Sequence, residues 1–369
     1  MTSLALPSLE VQGFRGFQDL RIEKLGRVNL IVGKNNIGKS SLLEAIQLYA
    51  NVVHPSFLQQ ILVGHGEDLN QYEWQTFEEA LSFVKYLFFG RKEITGPTDP
   101  IKIGPIDNPE QQLQISIDFF AVKSDGSTWQ ILQPEEYNTA ESPTPRFSIF
   151  FGKMFATSYS LDFRPFENIA NYARLLRAGA KVFNMVSVDV NGLDKQRIAQ
   201  LWDKITLTSH EQDVLRSLQI IAPGIEDINL IGQSTKVERT PIVKVRGIME
   251  PLPMRTLGDG MQRILSIVLA LVNAQNGILL IDEIENGLHY AVQEELWPLI
   301  FQLAHQLNVQ IFATTHSWDC ISAFQQATLA EENDEGLLIR LQYKKDDIVA
   351  TIFDEEDLAI ITRDRIEVR

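Results

Sequence analysis

Apolar residues fall in two rhythms along this chain. At residues 28–32 the run VNLIV is unbroken, the pattern of a strand buried on both faces. Just beyond it Leu42, Leu43, Ile46 and Tyr49 recur at helical spacing within residues 39–52. With the short apolar-rich run at 9–14, the opening reads as strand, turn, strand, loop, helix. The last third is as regular. It predicts a helix over 260–273 ended by Gly277, and a buried strand at 277–281. A helix over 290–307, bent near Pro298, and a strand at 309–313 follow. Residues 337–343 and 348–353 form a closing hairpin. Strands alternating with helices imply a largely parallel α/β sheet.

The middle keeps neither rhythm for long. Helical spacing near 77–88 gives way to loop signals over 96–109. Residues 113–122 (LQISIDFFAV) and 129–132 flank Asp125-Gly126, which predicts a hairpin. Residues 134–145 read as loop, 164–221 as mostly helical, and 236–248 as strands again. No repeat of fixed period and no low-complexity tract occurs.

Composition narrows the class. With 44% apolar residues among 369, the chain is not disordered overall and has enough length to bury a large core. Lys and Arg number 33 against 48 Asp and Glu, a net charge of −15, which argues against a general polyanion-binding surface but leaves room for a local basic stripe. Cys320 is the one cysteine, so no internal disulfide framework forms and a reducing compartment fits. No apolar run reaches the ~18 residues of a membrane span, and residues 1–9 carry no secretory pattern; a cytoplasmic protein without a membrane anchor is expected.

Three elements carry chemistry. Gly33-Lys34-Asn35-Asn36-Ile37-Gly38-Lys39-Ser40 matches the phosphate loop G-x-x-x-x-G-K-[ST], directly after the VNLIV strand and opening a helix. Its glycines let backbone N–H groups wrap phosphate oxygens at a helix N-terminus. Lys39 would reach the β- and γ-phosphates, and Ser40 would offer its hydroxyl to Mg²⁺. The second element, Ile278-Leu279-Leu280-Ile281-Asp282-Glu283, is an apolar strand ending in two acids. Consecutive strand residues face opposite ways, so Asp282 can hold the Mg²⁺ shell while Glu283 polarises the attacking water. Taken alone, the pair could equally be solvated acids opening a loop. In the third element, Thr314-Thr315-His316-Ser317 follows the next strand. There His316 either caps the strand or meets the γ-phosphate or the water.

The set resembles the ATP-binding-cassette ATPases of the branch holding SMC proteins, RecF and the OLD nucleases. Val11-Gln12-Gly13-Phe14-Arg15-Gly16-Phe17 and GKNNIGKSSLLEAI, which includes Ser41, are similar to the OLD-type start. Thr256-Leu257-Gly258-Asp259-Gly260-Met261-Gln262-Arg263 stands where that family carries its signature motif. Ile284 to His289 (IENGLH) resembles its D-loop and TTHS its H-loop. The strong matches cover 9–50 and 236–320.

The resemblance implies an α/β P-loop NTPase of ABC-ATPase type, with a mixed sheet, an antiparallel β subdomain and a helical lobe inserted between Walker A and signature motif. The head would comprise 1–160 and 236–369, and the lobe 161–235. It further implies ATP and Mg²⁺ sandwiched between two heads, in a homodimer or higher oligomer. Gly258, Asp259 and Gly260 would serve the partner's nucleotide, and Glu283 would act as base. Arg15 either approaches the nucleotide or is an exposed loop arginine. The Q-loop is sought at 154–160.

Departures shape the functional expectation. The family's signature serine is Gly258 here, so hydrolysis is expected to be slow. Only about fifty residues follow His316, too few for a C-terminal Toprim nuclease. Glu355, Glu356 and Asp357 read as a solvated helix start, and no heptad rod is present. The expectation is a stand-alone OLD-like ATPase whose dimerisation controls a separate effector, such as a Toprim-like nuclease in an anti-phage defence module. The alternatives are a RecF-like DNA clamp using Arg164, Arg174, Arg177, Lys181, Lys195 and Arg197, and a nucleotide-dependent scaffold with little turnover.

Overall fold

The computed structural model describes residues 4–51, 58, 61–62, 76–122, 129–133, 136, 143–161, 182–232, 239–330, 336–354, 357 and 360. The chain opens with β1 (Leu9–Phe14) and β2 (Phe17–Ile22), enters the centre as β3 (Val28–Val32) and leaves it as α1 (Lys39–Ala50). Helix α2 (Phe77–Val84) precedes β4 (Ile101–Gly104), β5 (Leu113–Val122), β6 (Trp129–Ile131), β7 (Thr144–Phe151) and β8 (Met154–Ser160). Strand β9 (Met185–Val188) returns to the centre. Helices α3 (Lys195–Ile205) and α4 (Ser209–Ile221) lead to β10 (Ile225–Gly232), β11 (Arg239–Val245) and β12 (Leu252–Pro253). The last third runs α5 (Asp259–Asn273), β13 (Ile278–Ile281), α6 (Tyr290–Gln306), β14 (Gln310–Thr314), α7 (Trp318–Ala330), β15 (Gly336–Lys344) and β16 (Asp347–Phe353).

The central sheet has the order β16-β15-β3-β14-β13-β9 and is parallel except for the β15–β16 hairpin. An antiparallel sheet, β2-β1-β4-β5-β7-β8 with β6 on β5, lies beside it. A third small sheet joins β10, β11 and β12. The alternation of strand side chains decides which core each residue joins. Leu30, Leu279 and Ile311 face a core shared with α3 to α7, whereas Ile31, Leu280 and Phe312 face one shared with α1 and the antiparallel sheet. Both faces are covered, which is why β3, β13 and β14 are buried throughout and mostly apolar, with Asn29, Gln310 and Thr314 as buried polar exceptions.

Several expectations change. The stretch 164–221, expected mostly helical, contributes strand β9 to the central sheet, paired parallel to β13 from Met185↔Ile278 to Val188↔Ile281. Four residues of mixed exposure are too short for either period to register. Strands β2, β4 and β10 were not expected either; each is paired antiparallel with a neighbour. The loop expected over 134–145 gives way to β7 at Thr144. Gly277 does not terminate α5. Ala274 caps that helix, and Asn276 takes the left-handed turn at φ 57°. Gly277 is there because a Cβ would sit 1.8 Å from the Asn184 carbonyl oxygen. The Asp125-Gly126 turn, the basic residues Arg164, Arg174, Arg177 and Lys181, and the acids Glu355 and Glu356 lie outside the described residues.

Candidate nucleotide-binding site

Strand order fixes the site. Because β14 lies between β3 and β13, the three segments leaving their C-terminal ends converge: the phosphate loop, Asp282-Glu283, and Thr314-Thr315-His316. They meet at a cavity of about 500 Å³ lined by Asn35, Asn36, Gly38, Lys39, Ser40, Ser41, Glu283 and His316.

The loop itself is shaped for close approach. Gly33 and Gly38 take φ of 146° and 100°, and Asn36 adopts 61°. A Cβ on Gly33 would stand 2.6 Å from the Leu341 carbonyl oxygen, so only glycine fits between the loop and β15. Ile37 points away into the core at 2% exposure and anchors the loop from behind. Lys39 is 5% exposed, and its Nζ donates to the carbonyl oxygens of Gly33 (2.8 Å) and Lys34 (3.1 Å). Burial holds its pKa below the ordinary lysine value, and the carboxylates of Asp282, Glu283 and Glu285 pull it partway back.

Ser40 Oγ donates to Asp282 Oδ2 at 2.9 Å. Neighbouring ligands of an octahedral Mg²⁺ at 2.0–2.1 Å stand about 2.9 Å apart. The hydroxyl and carboxylate thus form a donor pair whose chemistry and spacing fit Mg²⁺. Thr314 Oγ1 donates to Asp282 Oδ1 (2.5 Å) and accepts from the Glu283 backbone N–H (2.8 Å), so one hydroxyl orients both acids. Glu283 sits in the left-handed region at φ 46°, unusual for a residue with a Cβ. Its Oε1 lies 3.5 Å from His316 Nε2, while His316 Nδ1 lies 3.4 Å from Lys39 Nζ. The His316 backbone N–H donates to Glu285 Oε1 at 2.7 Å, tying the segment after β14 to the loop after β13.

Two sequence-derived candidates stand elsewhere. Arg15 does not line the cavity. It is buried, with Nε 2.7 Å from Glu44 Oε2 on α1 and Nη2 donating to the Ile61 carbonyl. Gly258, Asp259 and Gly260 begin α5 and are also absent from the lining; Gly258 and Asp259 are exposed. Gly258 takes φ 104° and ψ 159°, a conformation essentially confined to glycine, which accounts for glycine rather than serine there. Residues 154–160 form the edge strand of the antiparallel sheet, and Met154 lines a different cavity with Lys102 and Gln114. The roles of Thr314, Glu285 and Arg263 were not drawn from sequence. Arg263 carried a signal nonetheless, as a charged residue within the mostly apolar helical run Met261 to Val272.

Known proteins are similar to both halves of this arrangement. The model of the AAA ATPase domain matches residues 5–149, which hold the phosphate loop. A second, described as an AAA domain, putative AbiEii toxin, type IV TA system, matches 186–319, which hold α5, the acidic strand and His316. This chain is an ATPase with an SMC-head-like fold. The ATPase is 24% identical over 340 residues to an ATP/GTP phosphatase of Helicobacter pylori, covering 87% of this chain and 88% of that protein. It is 24% identical over 191 residues to the DNA replication and repair protein RecF of Clostridioides difficile, covering 52% and 47% respectively. The fold of the ATPase is that of an SMC head solved with the C-terminal winged-helix domain of ScpA. The two share a TM-score of 0.55 at 14% identity, over 95% of this chain and 98% of that one. No described helix is long and apolar enough to cross a membrane.

Proposed function

We propose that this ATPase is a switch in which Mg-ATP joins two copies, each offering Gly258 to Gly260 to the phosphates held by the other. One observation carries the reading: Gly258 to Gly260 do not line the phosphate-loop cavity of their own protomer, and Gly258 and Asp259 are exposed. A helix start with free N–H groups suits phosphate charge, and in this reading a second copy brings it there. In this reading Lys39 binds the β- and γ-phosphates, while Ser40 and Asp282 hold the metal, which supplies charge neutralisation at the phosphates. Glu283 accepts the proton of the attacking water, and His316 orients the Glu283 carboxylate. Hydrolysis then dissolves the interface.

The output is a separate effector. The likeness of 186–319 to a domain described for a type IV toxin–antitoxin system supports a bacterial defence role, with an OLD-type opening segment in keeping with a nuclease partner. A DNA clamp is the second reading, favoured by the likeness to RecF.

The test is mass measurement by light scattering, with and without Mg-ATP, alongside turnover. Glu283→Gln is expected to lower kcat by about 10²–10⁴-fold, to keep binding ATP, and to accumulate as an ATP-dependent dimer. Lys39→Ala is expected to stay monomeric. Unchanged mass for Glu283→Gln with ATP would overturn the switch, and unchanged kcat would remove Glu283 as base. ATP-dependent, salt-sensitive binding of duplex DNA would favour the clamp.

A further inference from the structure

Glu283 holds a backbone conformation that needs outside support, and Thr314 supplies only part of it. Its own turn adds the Asn286 N–H, which donates to the Glu283 carbonyl at 2.9 Å, and α5 adds the rest. Arg263 is 5% exposed, and its guanidinium reaches four carbonyl oxygens on two strand ends. Nη2 donates to Asp282 (2.7 Å) and Glu283 (2.9 Å). Nη1 donates to Asp189 (2.5 Å) and Val190 (3.3 Å), just past β9. Burial lowers the affinity of Arg263 for its proton, and the carboxylates of Asp189, Glu285, Asp282 and Glu283 counter that. Around this hub, Ser266 Oγ accepts the Leu193 N–H (3.2 Å), and Asn286 Nδ2 donates to the Val190 carbonyl (2.8 Å).

We propose that Arg263 is a positioning residue for hydrolysis: it pins the left-handed backbone of Glu283 and makes that carboxylate's position depend on the helix that opens with the signature segment. The inference rests on the reading of Glu283 as base. Glu283 is fixed on its N–H side by Thr314 and on its C=O side by Arg263 together with the Asn286 N–H. Arg263 lies one turn into the helix whose N-terminus would meet the partner's nucleotide. A displacement of that N-terminus on dimerisation is therefore passed to Glu283 through a single planar group. Lysine cannot replace it, because one ammonium does not span both strand ends with two parallel pairs of bonds.

The test is a double-mutant cycle on full-length protein, reading kcat, KM, ATP affinity and melting temperature. Arg263→Lys is expected to lower kcat roughly tenfold to a hundredfold with KM and ATP affinity within about twofold, since a misplaced base costs turnover rather than binding. In a Glu283→Gln background the same change is expected to alter residual turnover by less than about twofold, because the group it positions is already gone. An equal loss in both backgrounds, or a shift in KM with kcat intact, would overturn the proposal. Arg263→Gln, which keeps amide donors, is the second variant. If neither variant folds, Arg263 is a determinant of the fold and the positioning role falls. Failure of the underlying reading looks different: Glu283→Gln alone would then turn over as the wild type does.

Discussion

At the scale of single residues, the site is a set of hydrogen bonds that each do two things. Thr314 Oγ1 serves Asp282 with its proton and Glu283 with its lone pair, and Glu285 holds the backbone of His316. The acids, the lysine and the histidine were legible because their chemistry is tied to motif and spacing. Their supports were not, since a threonine or an arginine becomes a support only through what folds against it. Cys320 shows the same dependence on surroundings. Buried at the start of α7, its thiol pKa is pushed from 9.0 up to about 12. A folded pKa above the unfolded one contributes stability that is complete below 9.0 and is lost as pH rises toward about 12. Relative to Cys320→Ala, the wild type should lose stability as pH rises past 9.0, read as a steeper alkaline fall in urea midpoints. Parallel curves for the two proteins would refute this.

At the scale of elements, burial on both faces did most to decide what the sequence revealed. The runs that became β3, β13 and β14 are buried on both faces and continuous, so they announce themselves. Strands β4 and β9 have four residues each, too few to show a period, and form because partners pair with them. The junction of β9 with β13 has its own marker in Gly277, whose missing side chain lets the Asn184 carbonyl pass. Gly277→Ala should destabilise by roughly 1–3 kcal/mol or more through forced displacement of backbone, seen as a lower melting temperature. A neutral result would mean that the two segments do not touch in solution.

For the molecule as a whole, the absence of the signature segment from the lining of its own phosphate-loop cavity gives a prediction that no single protomer can satisfy. Lys39→Ala and Gly258→Glu should each be inactive alone. Mixed in equal amounts, they should recover turnover, up to about half that of wild type, because each mixed dimer owns one intact composite site out of two, in keeping with closed two-fold assembly. No recovery on mixing would place the signature segment in service of its own protomer.

The sequence by itself determined the chemistry that depends on order along the chain. A glycine-rich turn after a buried strand, two acids at the end of another and a histidine after a third are local patterns, and backbone geometry and periodicity suffice to place them. Only the tertiary structure decided that β14 stands between β3 and β13, which brings those three ends to one cavity. It alone drew Arg15 into a pair with Glu44, made a strand of Met185–Val188, and closed Arg263 over four carbonyls. Each of these is a contact between segments far apart in sequence, formed because buried polar and apolar groups must all find partners at once.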